Sequence, residues 1–351
     1  MKKKSLSAKQ VIHKNLLNYL KNPIIGRIYR DFENLLLSDI KVKSLAIAVS
    51  GGPDSLALTY LAKCFSILNN LKVNYYHLDH KLRKTSTKES IKLKSVLKKF
   101  DIDCKILVWK GKKPNSNIQS VARKKRYFLI INQISKDKFN HLLIAHHLDD
   151  LYENFLIRLL RGSGLKGLAS FNQVNTGYNN KVKILRPLIN VNKKDLVFLA
   201  IKIFNFYIKD PSNENVSFKR VRIRNLIISL KNEGFDEKKL KLTINNLSDS
   251  NFTINHYVRQ NICLNSNYLK RKSTYILSKE FFEQPHEIVF RSLSNILKII
   301  GKKYYDSRGK NLNQLLEKIK LKNFNKMTLS DCIIEKLNNS LVIYQETRKK
   351  R

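Results

Sequence analysis

The fold class the sequence predicts is α/β: a doubly wound, mostly parallel sheet with a mainly helical region and a smaller C-terminal domain. Three observations predict it. Between residues 44 and 161, short apolar runs alternate with longer stretches of helical periodicity. The first apolar run ends in a glycine pair that opens directly into the next helical stretch. From residue 231 onward the alternation is gone. Alternation of this kind builds parallel strands with helices on both faces of the sheet.

Residues 1–43 read as a helical leader, with Val11, Leu16, Leu17 and Leu20 at helical spacing and a second run through Phe32, Leu35 and Leu36. Residues 44–49 (SLAIAV) are a buried strand, and 54–69 a helix carrying Leu56, Leu58, Leu61 and Phe65. Strands follow at 72–78, 104–109 and 141–146, and helices at 87–100, 119–135 and 149–161. In the last of these helices Leu156, Ile157, Leu159 and Leu160 read as core. Gly162, Ser163, Gly164 and Gly167 mark a loop, Arg186-Pro187 an extended step, and 193–204 another helix. A turn at 210–213 precedes a basic helix at 220–230. The expected parts are the leader (1–43), an α/β domain (44–230) and a C-terminal region (231–351), where helical segments and possible strands carry no chemical motif. In open parallel sheets ligands bind beyond the C-terminal strand ends, at the switch in strand order. Chemistry is therefore expected in the loops after Val49, Leu78, Trp109 and His146.

The chain has 351 residues, 42% of them hydrophobic, enough for roughly two or three domains. No run approaches the ~18 apolar residues of a membrane span. Met1–Lys4 is basic, but the residues after it are polar rather than an apolar signal core, so the expected location is cytoplasmic and no membrane partner is expected. The four cysteines (Cys64, Cys104, Cys263, Cys332) are scattered without a C-x-x-C pair, which argues against a disulfide framework, a zinc ribbon and a cysteine-held cluster. Lys+Arg number 68 against 27 Asp+Glu, a formal net charge of +41. Such a field concentrates polyanions and favours phosphate neutralisation. The abundance of Lys, Asn and Ile also fits an AT-rich coding bias, which explains lysine better than arginine. Nothing in the sequence speaks to oligomeric state.

The loop Ser50-Gly51-Gly52-Pro53-Asp54-Ser55 lies between a strand and a helix. Paired glycines permit positive φ and close backbone approach. Successive N–H groups and the helix dipole then make an anion cradle, to which Ser50 and Ser55 add hydroxyls. Asp54 repels phosphate by itself but makes sense as a holder of Mg²⁺. The alternative is an ordinary capped turn. The G-x-x-x-x-G-K-[ST] and G-x-G-x-x-G patterns are absent. Farther along, His146 ends a strand and Asp150 follows on the first helical turn, a pair suited to Mg²⁺ binding or to proton removal from an attacking group. Asp149 and Asp150 could instead merely cap their helix. His147 reads equally well as a packing residue. His77 and Asp79 are further candidates at the neighbouring strand end. Arg158 and Arg161, one turn apart, and the cluster Arg220, Arg222, Arg224 suit bidentate phosphate contacts and stacking on unpaired bases, or simply a solvated basic face.

The string SGGPDS resembles the PP-loop, S-G-G-x-D-S, of the N-type ATP pyrophosphatases. That resemblance implies a Rossmann-like fold and ATP cleaved between its α- and β-phosphates to give an adenylated intermediate. Four further strings resemble the tRNA(Ile)-lysidine synthetase family. His77-Leu78-Asp79-His80-Lys81-Leu82-Arg83 is similar to its H-x-D-H-x-L-R segment. Residues 145–168, AHHLDDLYENFLIRLLRGSGLKGL, are similar to A-H-H-x-D-D-Q-x-E-T…L-x-R-L-x-R-G-S-G-x-x-G-L. Arg186-Pro187-Leu188 and residues 210–224 match its R-P-L and D-x-S-N…R-x-R-I-R stretches in order. Leu151, Asn154 and Phe218 depart from the pattern, which puts a side-chain amide at 151 in doubt but leaves Asp149, Asp150 and Glu153.

The resemblance implies that a tRNA(Ile) with a CAU anticodon has its wobble cytidine converted to lysidine, with ATP as co-substrate, Mg²⁺, and free L-lysine as second substrate. Joined to the residue-level reading above, it gives a PP-loop catalytic domain at 44–230 with Asp54, His146 and Asp150 as the catalytic set, ATP held by residues 50–55, Mg²⁺ at Asp54 and Asp150, and a C-terminal tRNA-binding region at 231–351. His77, Asp79, Arg83, Glu153, Arg158, Arg161, Arg220, Arg222 and Arg224 become candidates for tRNA or substrate binding. Rival readings are a thiolating PP-loop tRNA enzyme, a non-catalytic tRNA-binding PP-loop protein, and amide synthesis on a small metabolite.

Overall fold

The computed structural model describes residues 7–39, 44–83, 85–111, 118–171, 174–176, 182–303, 306–321 and 323–346. The ends of the leader, at 1–6 and 40–43, lie outside these. The chain divides into two compact units, Met1–Ile244 and Asn245–Arg351.

In the first unit, α1 (Ala8–Asn18) begins at a reciprocal cap, Ser7 accepting from Gln10 N while the Gln10 side chain accepts from Ser7 N. It is followed by α2 (Pro23–Asp39). Leu16, Ile25, Phe32 and Leu36 of these helices are buried in the same core as Leu56, Leu58 and Leu61 of α3 (Pro53–Leu68). Tyr60 Oη of α3 donates to Leu16 O at 3.0 Å. The leader is thus part of the packing behind the sheet.

The sheet contains β1 (Ser44–Ala48), β2 (Lys72–Asp79), β3 (Cys104–Val108), β4 (His141–Leu143), β5 (Val174–Thr176) and β6 (Lys183–Leu185), in the order β3-β2-β1-β4-β6-β5. The first five strands of that row run parallel, and β5 pairs antiparallel at the edge. Helices α4 (Ser86–Lys98), α5 (Ile118–Lys136), α6 (Leu148–Leu159), the one-turn α7 (Leu165–Leu168), α8 (Lys193–Phe204) and α9 (Lys219–Asn232) make the crossovers and flanks. One buried cluster joins β1 to α3 and α8, and another packs Ala46, Tyr76 and Leu142 against Ile130, Ile131 and Ile134 of α5. The α/β fold with strands buried on both faces is therefore as expected.

Three expectations change. The strand expected at 141–146 is only His141–Leu143. Ile144 N still donates to Leu185 O at 3.0 Å, and the chain then leaves the ladder toward α6. The loop expected after Gly162 contains the turn of helix α7. Leu159 and Leu160, read as core, are 51% and 60% exposed, because the last turn of α6 projects beyond the packed face that holds Phe155 and Leu156.

The strand order reverses at β1, whose neighbours are β2 on one side and β4 on the other. The loops after β1 and β4 therefore open at the switch point.

Helix α10 (Glu237–Asn265) carries the boundary between the units. The second unit continues with β7 (Ser266–Leu269), β8 (Thr274–Leu277), α11 (His286–Ile300), α12 (Gly309–Ile319), β9 (Lys326–Leu329), β10 (Cys332–Leu337) and β11 (Ser340–Gln345). Its strands form an antiparallel sheet, β7-β8-β11-β10-β9, packed on α11 and α12 through Leu277, Leu293, Leu297, Leu315 and Ile343. Among the described residues no helix is long and apolar enough to cross a membrane.

Candidate active site

Val49 N donates to Tyr76 O at 2.8 Å, so the β1 ladder runs up to the glycine loop. Gly51 has φ +88°, and a Cβ there would lie 2.4 Å from Ile208 Cδ1. Backbone conformation and space thus both require glycine. Ile208 N in turn donates to Gly51 O at 2.9 Å, which clamps the loop from outside the sheet. Gly52 is the N-cap of α3 and Pro53 its first residue, where a missing N–H costs nothing. Ser55 Oγ receives Gly51 N (3.0 Å), Ser50 Oγ (3.1 Å) and Ser50 N (3.2 Å) while donating to Gly52 O (2.9 Å). A hydroxyl has two lone pairs, so at least one of the three donors is available to an anion at the helix N-terminus.

The carboxylates come from both sides of the switch point. Asp54 sits in the first turn of α3 with Oδ1 buried and without a hydrogen-bond partner among the described residues. Burial raises its pKa, against the opposing pull of His147 and Lys193. Asp150, in the first turn of α6, is buried; burial pushes its pKa up, but His147, His146 and Arg220 outweigh this and hold the carboxyl below its ordinary range. Its Oδ1 lies 3.4 Å from Arg220 Nη1, and its Oδ2 accepts from His147 N at 3.2 Å. His147 Nε2 lies 3.6 Å from Asp54 Oδ2 and 3.5 Å from Asp150 Oδ2. One turn farther along α6, Glu153 is 1% exposed, its Oε1 paired with Arg224 Nε and its Oε2 unpartnered among the described residues. Burial raises the Glu153 pKa, and the hydrogen bond and charge of Arg224 oppose it.

His146 faces a different neighbourhood. Its Nδ1 accepts from Arg186 Nε at 3.0 Å, its ring lies 5.1 Å from that of Phe171, and Arg186 lies 4.9 Å over the same phenyl ring. Burial, with Arg123, Arg186 and Arg220 outweighing Asp150, lowers its pKa to about 3. A ring held that low is neutral at pH 7 and a weak proton acceptor.

The remaining candidates separate from this centre. Asp79 is fully engaged: Oδ1 accepts from Lys81 N (2.9 Å) and Ser86 Oγ (2.8 Å), Oδ2 from Thr87 Oγ1 (2.7 Å). His77 spans Val49 O (2.7 Å) and Ser90 Oγ (2.8 Å), so it braces the strand end beneath the glycine loop. Arg83 pairs with Glu89 at 2.9 Å and lies 3.4 Å from Asp210. Arg158 reaches Asn154 Oδ1 (2.8 Å) and Gly167 O (2.7 Å), which ties the glycine-rich turn to α6. Arg222 donates to Val216 O (3.0 Å) and Ser217 O (2.7 Å). Arg161 is exposed, with no ion pair among the described residues. The structure therefore gathers 50–55, Asp150, Glu153, Arg220 and Arg224 at the switch point, with His146 beside them.

Sequence reasoning passed over His147, Lys193 and Arg186 as site residues. The signal for His147 was its place directly before the α6 acids. An N-cap residue turns its side chain back over the first turn, where Asp150 lies.

The fold and its glycine loop define an ATP-using PP-loop domain, and residues 26–231 match the PP-loop domain family. The tRNA(Ile)-lysidine synthase of Orientia tsutsugamushi (strain Boryong) is 34% identical over 310 residues, covering 86% of this chain and 69% of that protein. That of Wolbachia pipientis wMel is 32% identical over 326 residues, covering 91% and 74%. Among solved structures, the U34-tRNA thiolase NcsA from Methanococcus maripaludis with its [4Fe-4S] cluster aligns with a TM-score of 0.53 at 20% identity, covering 64% of this chain and 80% of its own, a likeness of fold alone. The chain belongs to the tRNA(Ile)-lysidine synthase family.

Proposed function

We propose that this chain is a ligase that converts the wobble cytidine of a CAU-anticodon tRNA(Ile) to lysidine, using ATP and free L-lysine, in the cytoplasm. One observation carries this reading: an anion cradle and a set of buried carboxylates meet at a single switch point, with arginines around them. An unpaired anticodon base can be splayed into such a pocket at low unstacking cost. In the first half-reaction the cytosine C2 oxygen attacks the α-phosphorus and the bond to the β-phosphate breaks, releasing pyrophosphate. In the second, the lysine ε-nitrogen attacks C2 and the C2–O bond breaks. AMP leaves with the oxygen, and one proton leaves the amine.

Each group has a task in that scheme. Donors among Ser50 N, Ser50 Oγ and Gly51 N bind phosphate oxygens, and the α3 dipole favours the charge that develops there. Asp54 and Asp150 would hold Mg²⁺. The donor set fits, because Asp54 offers a buried oxygen without a partner among the described residues and a hard cation takes one or two carboxylates plus phosphate and water. When bound, Mg²⁺ neutralises charge on the phosphates. The lysine amine has a solution pKa of ~10.4 and must lose its proton before attack. Glu153 is the buried carboxylate placed to receive it, since burial raises its pKa while Asp150 is held low, and its Oε2, unpartnered among the described residues, suits an ammonium. Arg220 and Arg224 hold Asp150 and Glu153 in place through their ion pairs.

The thiolating reading is disfavoured by the cysteines. Cys64 and Cys104 are core residues whose thiols burial pushes up to about 12, and Cys332 is buried in the second unit's core. The test incubates the chain with ATP, labelled lysine and the CAU-anticodon tRNA(Ile). The reading expects label in the tRNA and stoichiometric AMP. A folded protein that binds the tRNA yet transfers no lysine would overturn it.

A further inference from the structure

We infer that His147 is the positioning residue that sets Asp54 and Asp150 against each other, holding the two carboxylates on one point from a single ring N–H. The inference deepens the reading above and rests on it only for the identity of the substrates.

The backbone dictates the ring's orientation. His147 is the N-cap of α6, with φ −125° and ψ −174°, and its Nδ1 accepts from Asp149 N at 3.3 Å. A nitrogen that accepts a hydrogen bond carries no proton, so in the neutral ring the proton sits on Nε2. That Nε2 is the atom 3.6 Å from Asp54 Oδ2 and 3.5 Å from Asp150 Oδ2. The near-equality of the distances sets the nitrogen about midway between the two acids, and the ring is 4% exposed, so water screens it little.

The two carboxylates belong to different elements. Asp54 follows β1 and Asp150 follows β4, so nothing in the local chain fixes their separation. Two buried anions in one site also repel. A ring N–H donor between them offsets that repulsion without consuming either charge. It leaves Asp54 Oδ1 and Asp150 Oδ1 uncommitted to the ring, the former buried and unpartnered among the described residues and the latter 3.4 Å from Arg220. At 3.5 and 3.6 Å these contacts are longer than hydrogen bonds, and contacts at a reacting centre are often long before substrate arrives and tighten with it. The cap bond at one ring nitrogen thus specifies what the other nitrogen does, as for histidines oriented by a partner beyond the reacting centre.

Two amide substitutions separate the ring's two jobs. Asparagine can place its oxygen near Nδ1, keeping the cap but not the far donor. Glutamine can place an N–H near Nε2, keeping the donor but not the cap. The readouts are tRNA-dependent ATP–pyrophosphate exchange and the thermal midpoint of the full chain. His147→Asn is expected to keep the midpoint and lose on the order of 10–100-fold in kcat/KM for exchange. His147→Gln is expected to lower the midpoint and lose several-fold less exchange than His147→Asn. The reverse order, or equal losses, would overturn the inference and leave the ring as a helix cap only. A second measurement needs no substrate: ¹⁵N NMR of the imidazole is expected to show Nε2 protonated and Nδ1 bare, and an Nδ1–H ring would overturn it. Exchange without lysine transfer by the unsubstituted chain defeats the lysidine reading and leaves this comparison intact.

Discussion

The loops after β1 and β4 and the loop after β2 lie at the same edge of one sheet, and both bury acids, yet they treat them in opposite ways. After β2, Asp79 accepts three hydrogen bonds and its carboxyl is held below the ordinary range: burial pushes the pKa up, and the donors Thr87, Lys81 and Ser86 outweigh it. At the switch point, Asp54 and Glu153 each keep a buried oxygen with no partner among the described residues, and burial raises both pKa values. The first arrangement stabilises the fold; the second costs stability and gains a site poised for a cation. An acid at a strand end therefore says little about function until its partners are known.

The widest break in that contrast is chemical. Asp54→Asn is expected to cut ATP–pyrophosphate exchange by about 10²–10³-fold, the scale of removing one group that stabilises developing charge. It should leave the thermal midpoint unchanged or raised, since a folded pKa above the unfolded value means the charged form is disfavoured on folding at neutral pH. Loss of exchange with a matching loss of midpoint would erase the distinction.

Asp79→Ala should do the converse, lowering unfolding free energy by about 3 kcal/mol through three orphaned donors. Chemical denaturation measures this. The pH dependence follows in sign: a folded pKa below the unfolded one gives stability that is present above the unfolded value near pH 4 and lost as pH falls through the folded value. Asp101 has the same sign, lowered to about 2 because Lys63 and His13 outweigh the effect of its burial, so Asp101→Asn should flatten the acid limb between about pH 4 and pH 2.

Gly51→Ala should cost about 1–3 kcal/mol from positive φ alone, and more from the contact with Ile208 Cδ1. Adding Ile208→Val removes that methyl and should recover the second part but not the first. The thermal midpoints of the single and double variants measure the split. The smallest expected effect is at the surface. Arg161→Ala should reduce the salt slope of tRNA binding by about 1, as for one lost phosphate contact. Arg158→Ala should instead act mainly on the midpoint, through the turn it ties to α6.

Local features were legible in the sequence, and features set by packing were not. The glycine loop could be read because its conformation needs glycine, and helix α8 matched its expected bounds because its apolar spacing is regular. The choice between His146 and His147 depended on where β4 ends. The strand stops at Leu143, three residues before the expected His146, and no period in the sequence marks that. Leu159 and Leu160 were read as core because apolar spacing records what can be buried, not where the packed neighbour ends. In the second unit β10 and β11 alternate buried and half-buried positions, but their sequences CIIEKL and SLVIYQ put apolar residues on both faces and so hide the period. Nor did sequence show that Asp79 is satisfied by Lys81, Ser86 and Thr87 just after it, because the turn that aims them is set by packing, while the Glu153 partner, Arg224, arrives from a distant stretch of chain.

The central claim, that the switch point first adenylates an RNA base and then releases AMP to an amine, is tested most directly with ATP labelled at the α-phosphate. Incubated with the CAU-anticodon tRNA(Ile) and no lysine, the chain should transfer the label to the tRNA and release pyrophosphate. Adding lysine should then discharge the label as AMP. Label that never enters the tRNA, or that stays there when lysine is added, would contradict the account.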